Sequence, residues 1–90
     1  MPRYLIERDF PEGLEIPRTA EGVKVVRSVI DVNAADGCTW LHSYVTADRK
    51  HTYCIYDGPT PEAVRRVATH NKLPIRSITE VSVLDPYAYI

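Results

Sequence analysis

The sequence predicts a single α+β domain with elements in the order strand, helix, strand, strand, helix, strand. Three observations carry that prediction. Two stretches open with helix-capping residues, Thr19 ahead of Glu21 and the run Thr60-Pro61-Glu62. Two runs rich in β-branched and aromatic residues, 38–46 and 51–57, are separated by the short polar turn Ala47-Asp48-Arg49-Lys50. Further apolar runs at 2–10 and 75–84 bracket the set.

Residues 2–10 read as a strand through Tyr4, Leu5, Ile6 and Phe10, and Pro11-Glu12-Gly13 breaks it. Thr19 then caps a helix in which Val23, Val26, Ile30 and Ala34 recur at helical spacing. The β-branched residues of this segment oppose it, because each loses rotamer freedom against the preceding turn. Asp36-Gly37 ends it, since glycine tolerates the left-handed conformation that closes a helix. The runs 38–46 and 51–57 form a hairpin, closed by Gly58-Pro59. The second helix carries an inner stripe of Val64, Val67 and Ala68, and Asn71 and Pro74 stop it. The last strand spans 75–84 and ends at Asp85-Pro86. Tyr87-Ala88-Tyr89-Ile90 is apolar and is expected to pack on the domain or on a partner chain. This order is a split βαβ unit. Its usual solution is the ferredoxin-like fold, a four-stranded antiparallel sheet with both helices on one face. The other face is left open, and large apolar groups on it would seek a partner.

Bulk properties narrow the function. Ninety residues make one domain, 1–90, with no room for a second. A chain of this size buries only about 60% of the surface its unfolded form exposes, so pairing with a second copy would help stability. Eleven Lys and Arg against 12 Asp and Glu leave no basic stripe for a phosphate backbone and no cationic face for a membrane surface. No apolar run reaches the ~20 residues that cross a bilayer, and the first residues lack a secretory pattern. A cytoplasmic location with Cys38 and Cys54 as reduced thiols is the expectation.

Side chains alternate across a strand, which assigns each strand two faces. With Ile6, Leu41, Val45, Val81 and Val83 under the helices, the open face receives Leu5, Glu7, Trp40, His42, Tyr44, Glu80 and Ser82. With Tyr53 and Ile55 in the core, Cys54 and Tyr56 join them, although a hairpin register shifted by one residue swaps that third-strand set. Glu7, His42, Cys54 and Glu80 then converge as candidate metal ligands, with Trp40, Tyr44 and Tyr56 lining a pocket. Imidazole and thiolate suit Ni, Cu, Zn and Fe. The same His42 with Glu7 or Glu80 could instead transfer a proton. Each residue also has an ordinary reading: a hydrogen-bonded histidine, solvated acids, a small buried thiol. No CxxC, HExxH, Gly-rich phosphate loop or GxSxG is present.

Several segments together carry a resemblance: Pro2-Arg3-Tyr4-Leu5-Ile6-Glu7-Arg8, Thr39-Trp40-Leu41-His42-Ser43-Tyr44-Val45, Thr52-Tyr53-Cys54-Ile55-Tyr56-Asp57, Pro61-Glu62-Ala63-Val64-Arg65-Arg66, Ile78-Thr79-Glu80-Val81 and Leu84-Asp85-Pro86-Tyr87. Over nearly the whole chain the sequence resembles a small bacterial family of ferredoxin-like proteins, first catalogued as a domain of unknown function, with a nickel-binding or nickel-responsive branch. The resemblance implies a homodimer with the two sheets facing each other, a dimeric α+β barrel, and Ni2+ as the bound metal. Three functions remain open at this point: a metal-binding protein, a small dimeric barrel enzyme, and a non-catalytic dimerisation or small-ligand module.

Overall fold

The structure, a computed structural model, describes all 90 residues. Strand β1 spans Arg3–Asp9, helix α1 Ala20–Ala35, β2 Thr39–Val45, β3 His51–Asp57, helix α2 Pro61–His70 and β4 Ser77–Val81; a short 3-10 turn at Pro86–Tyr89 follows. The strands form one antiparallel sheet in the order β2-β3-β1-β4. This is the predicted ferredoxin-like α+β arrangement.

Both helix starts are built as the sequence predicts. The Thr19 hydroxyl accepts from the Gly22 N–H and the Thr60 hydroxyl from the Ala63 N–H. Gly37, at φ +71°, lets the Cys38 N–H reach back to the Asn33 carbonyl at 2.9 Å and close α1. The last strand is shorter than the predicted 75–84. Val81 pairs with Arg3, the first residue of β1, and the preceding Pro2 has no N–H to continue the ladder.

The core lies between the sheet and the helices and is thin, with only 14 of 90 residues buried. It joins Tyr4, Ile6, Cys54 and Tyr56 of the sheet to Ala63, Val64 and Val67 of α2, with Cys38 at the margin. Helix α2 presents the predicted stripe. Helix α1 does not: it turns Gly22 and Asn33 inward, with Val26, Val29 and Val32 half-buried, while Val23, Ile30 and Ala34 are exposed. Its valines and Ile30 spread over about half of the helix surface at 3.6 residues per turn, with Lys24, Arg27, Ser28 and Asp31 on the other half. Two specific contacts fix the rotation within that broad arc. Gly22 lies so close to the Pro17 carbonyl that a Cβ there would meet it at 1.7 Å. Asn33 donates from Nδ2 to the Tyr56 hydroxyl (3.3 Å) and accepts at Oδ1 from Asn71 (3.2 Å), linking α1 to β3 and to the end of α2.

The expected faces need correction in three strands. In β3 the buried residues are Thr52, Cys54 and Tyr56, so Cys54 and Tyr56 lie under the helices and Tyr53 and Ile55 on the open face. This is the one-residue slip that period-two alternation permits. In β2 the ladder is irregular between Trp40 and His42, with Leu41 as the extra residue. The bulge puts Trp40 opposite Tyr56 on the helix side, where its indole N–H donates to Ser43 at 2.8 Å, and leaves His42 and Tyr44 on the open face. In β4, Thr79 pairs with Leu5, so Ile78 and Glu80 share the helix side and Val81 the open one. Ile78 packs on the core, while Glu80 stays exposed at its margin.

Candidate functional site

The open sheet face can be laid out row by row, because residues directly opposite in an antiparallel pair share a face. The first row runs Thr39, Asp57, Arg3, Val81; the second His42, Ile55, Leu5, Thr79; the third Tyr44, Tyr53, Glu7, Ser77; His51 and Asp9 begin a fourth. Leu5, Ile55 and Tyr53 form a half-buried apolar centre. His42 and Tyr44 stand at the β2 edge in edge-to-face contact, with ring centroids 5.2 Å apart and planes at 84°.

Three polar pairs ring this centre. Arg3 donates from Nε to Asp57 Oδ1 at 2.8 Å and from its second nitrogen to Oδ2 at 3.3 Å. The Arg3 hydrogen bond, reinforced by its charge, holds the Asp57 carboxyl below the usual carboxylate range. Ser77 donates its hydroxyl to Glu7 Oε2. His51 Nδ1 lies 2.7 Å from Asp9 Oδ1, with an Arg76 nitrogen 3.9 Å from the same oxygen. Sequence reasoning places His51 only at the start of the run 51–57, next to the turn. The signal for its partnership is the β1–β3 register, in which Asp9 faces His51, and no local pattern encodes that register.

Of the predicted site residues, Glu7, His42 and Tyr44 share the open face. Cys54, Tyr56, Trp40 and Glu80 stand on the other side of the sheet and cannot join them. Burial raises the Tyr56 phenol, although the Asn33 hydrogen bond and the nearby Arg8 oppose the shift. Within the open face, His42 and Glu7 are two strands and one row apart, about 12 Å between backbones at ordinary strand spacing. Their side chains rise in parallel, so the tips stay far apart. Glu7 already accepts from Ser77. No three His, Cys, Asp or Glu side chains come together as a possible metal-holding group anywhere in the chain. One protomer therefore does not hold the donors for a complete nickel site. It offers single donors, and His42 is the imidazole on this face without a carboxylate partner.

A family model described as "Nickel responsive protein SCO4226-like" matches residues 4–81. The crystal structure of SCO4226 from Streptomyces coelicolor A3(2) superposes with a TM-score of 0.72 at 18% identity, covering 92% of this chain and 99% of that one. Among curated proteins none matches. No helix is long and apolar enough to cross a membrane.

Proposed function

Because the chain belongs to the SCO4226-like family of nickel-responsive proteins, we propose that it is a metal-binding protein whose nickel site is completed between two copies across their open sheet faces. The family match carries this reading, and the layout of the open face gives it its form. His42 is the anchoring ligand. Its neutral imidazole is a borderline donor suited to Ni2+. Glu7 is a candidate second donor, supplied from whichever copy brings its carboxylate near. Tyr44, packed edge-on against His42, limits the angles the imidazole can adopt. The apolar centre formed by Leu5, Ile55 and Tyr53 supplies the surface that would draw two sheets together. Cys54 has no part in this site, because it is buried under the helices.

A shared site couples metal to assembly: a ligand that binds only the pair stabilises the pair. Nickel added to untagged protein near its monomer–dimer midpoint should shift the sedimentation boundary toward dimer. His42→Ala should remove that shift while leaving the metal-free dimer as it was. A boundary that ignores nickel in the wild type refutes the shared site.

A further inference from the structure

Residues 82–90 follow the sheet directly, and every one of them is exposed. They carry five large apolar side chains: Val83 is 70% exposed, Leu84 78%, Tyr87 78%, Tyr89 76% and Ile90 96%. The segment nevertheless has local order. The Asp85 carboxylate caps the 3-10 turn Pro86–Tyr89 by accepting from the Tyr87 N–H at 3.0 Å, and the Ala88 N–H returns to the Asp85 carbonyl at 3.1 Å. An ordered run this apolar that packs on none of its own domain is an unpartnered surface.

We propose that residues 82–90 form an arm that seats on the open sheet face of a second copy. Three observations select that occupant. The arm leaves β4, an edge strand, straight after Val81, whose side chain points to the open face, so it starts at the rim of the face it would extend. Asp85 is its only charged side chain, which suits the apolar centre of a partner sheet and a place beside Arg3 or Arg76 at its rim. The area also fits. A stable pair needs on the order of 800 Å² from each partner. Tyr87 and Tyr89, 78% and 76% exposed, alone would add about 300 Å² toward that if covered. The inference rests on the sheet-to-sheet pairing proposed above but not on the metal.

The test is the dissociation constant of the metal-free dimer by sedimentation equilibrium. It compares the wild type, a chain ending at Val81, and the full-length double variant Leu84→Asp/Tyr87→Asp. Circular dichroism and Trp40 fluorescence confirm that each remains folded, and the double variant stands alone if the shortened chain does not fold. Losing two central anchors should weaken the dimer on the order of 30-fold or more. Concentration-dependent hydrogen-exchange protection within 82–90 should accompany assembly of the wild type. A wild-type dimer that the variants match in strength overturns the arm and leaves the sheet pairing standing. A wild type that stays monomeric at high concentration overturns both, and nickel binding by such a monomer would show that the metal reading survives without them.

Discussion

The attachment of α1 gives the sharpest quantitative prediction. A 16-residue helix that buries only Gly22 and Asn33 depends on what those two residues do. Asn33 is fully buried, and its amide joins the buried Tyr56 hydroxyl to Asn71. Asn33→Leu keeps the branched shape but strips the Tyr56 hydroxyl of its donor and Asn71 of its acceptor. Leaving one buried polar partner unsatisfied costs about 1–3 kcal/mol. Asn71 is half-exposed and can turn to water, so its loss adds little. Tyr56→Phe leaves the Asn33 Nδ2 without its acceptor at a similar cost, while keeping the ring beside the Arg8 guanidinium, 5.9 Å from its centroid. A domain of this size is stable by roughly 5–13 kcal/mol, so either change is a large fraction of the total. In urea, with a slope of about 1 kcal/mol/M, each midpoint should fall by about 1–3 M. Removing both partners together leaves neither stranded, so the double variant should lose clearly less than the sum of the singles. Strictly additive losses, or single losses below about 0.5 kcal/mol, would show that the amide is not what holds the helix.

Other consequences can be checked more briefly. Gly22→Ala should lower the thermal midpoint, although alanine is the better helix former by about 1 kcal/mol, because the new Cβ meets the Pro17 carbonyl; an equal or higher midpoint contradicts the close approach. The depressed Asp57 carboxyl contributes stability that is present above the unfolded pKa of about 3.9 and disappears as pH falls through the lower folded value. Asp57→Asn should therefore be less stable than wild type at pH 7, with the two converging as pH falls through the lowered folded value; acid titrations of unfolding that stay parallel refute the pair. The Cys38 thiol is raised above its ordinary value, first by burial and then by the Asp36 carboxylate. It should react with iodoacetamide at neutral pH far more slowly in folded than in urea-unfolded protein, and equal rates would contradict its burial.

The fold was legible because its signals are local and agree with one another. Both threonine caps, the hairpin and the Asp36-Gly37 stop can be read within a few residues. The faces were only half legible. Ile6 fixes β1 correctly, with Leu5 and Glu7 opposite it. In β3, however, Thr52-Tyr53-Cys54-Ile55-Tyr56 offers plausible core residues on both faces, and the choice falls to Tyr56 through contacts with Asn33 and Arg8, which lie 23 and 48 positions away in the chain. In β2 the bulge at Leu41 resets the alternation, so Trp40 turns inward although His42 and Tyr44 remain outside. In β4 the pair Val81 and Val83 is misleading, because Ile78, three residues before Val81, is the residue that packs on the core. The candidate site inherits these shifts: Glu7 and His42 keep their face while Cys54 and Glu80 lose theirs. The Asp9–His51 and Arg3–Asp57 pairs depend on β1–β3 register, which is long-range information. The rotation of α1 was hidden for a related reason, since its apolar residues cover a broad arc and a glycine and an asparagine set the centre of that arc.

The central claim is that this chain binds nickel through His42, and titration calorimetry tests it directly. Nickel should be added to untagged, metal-stripped protein, wild type and His42→Ala, at a concentration where both are dimeric. Saturable heat in the wild type that vanishes in the variant, with fold and dimer retained, is the predicted result. The absence of saturable binding, or an isotherm that the variant reproduces, contradicts it.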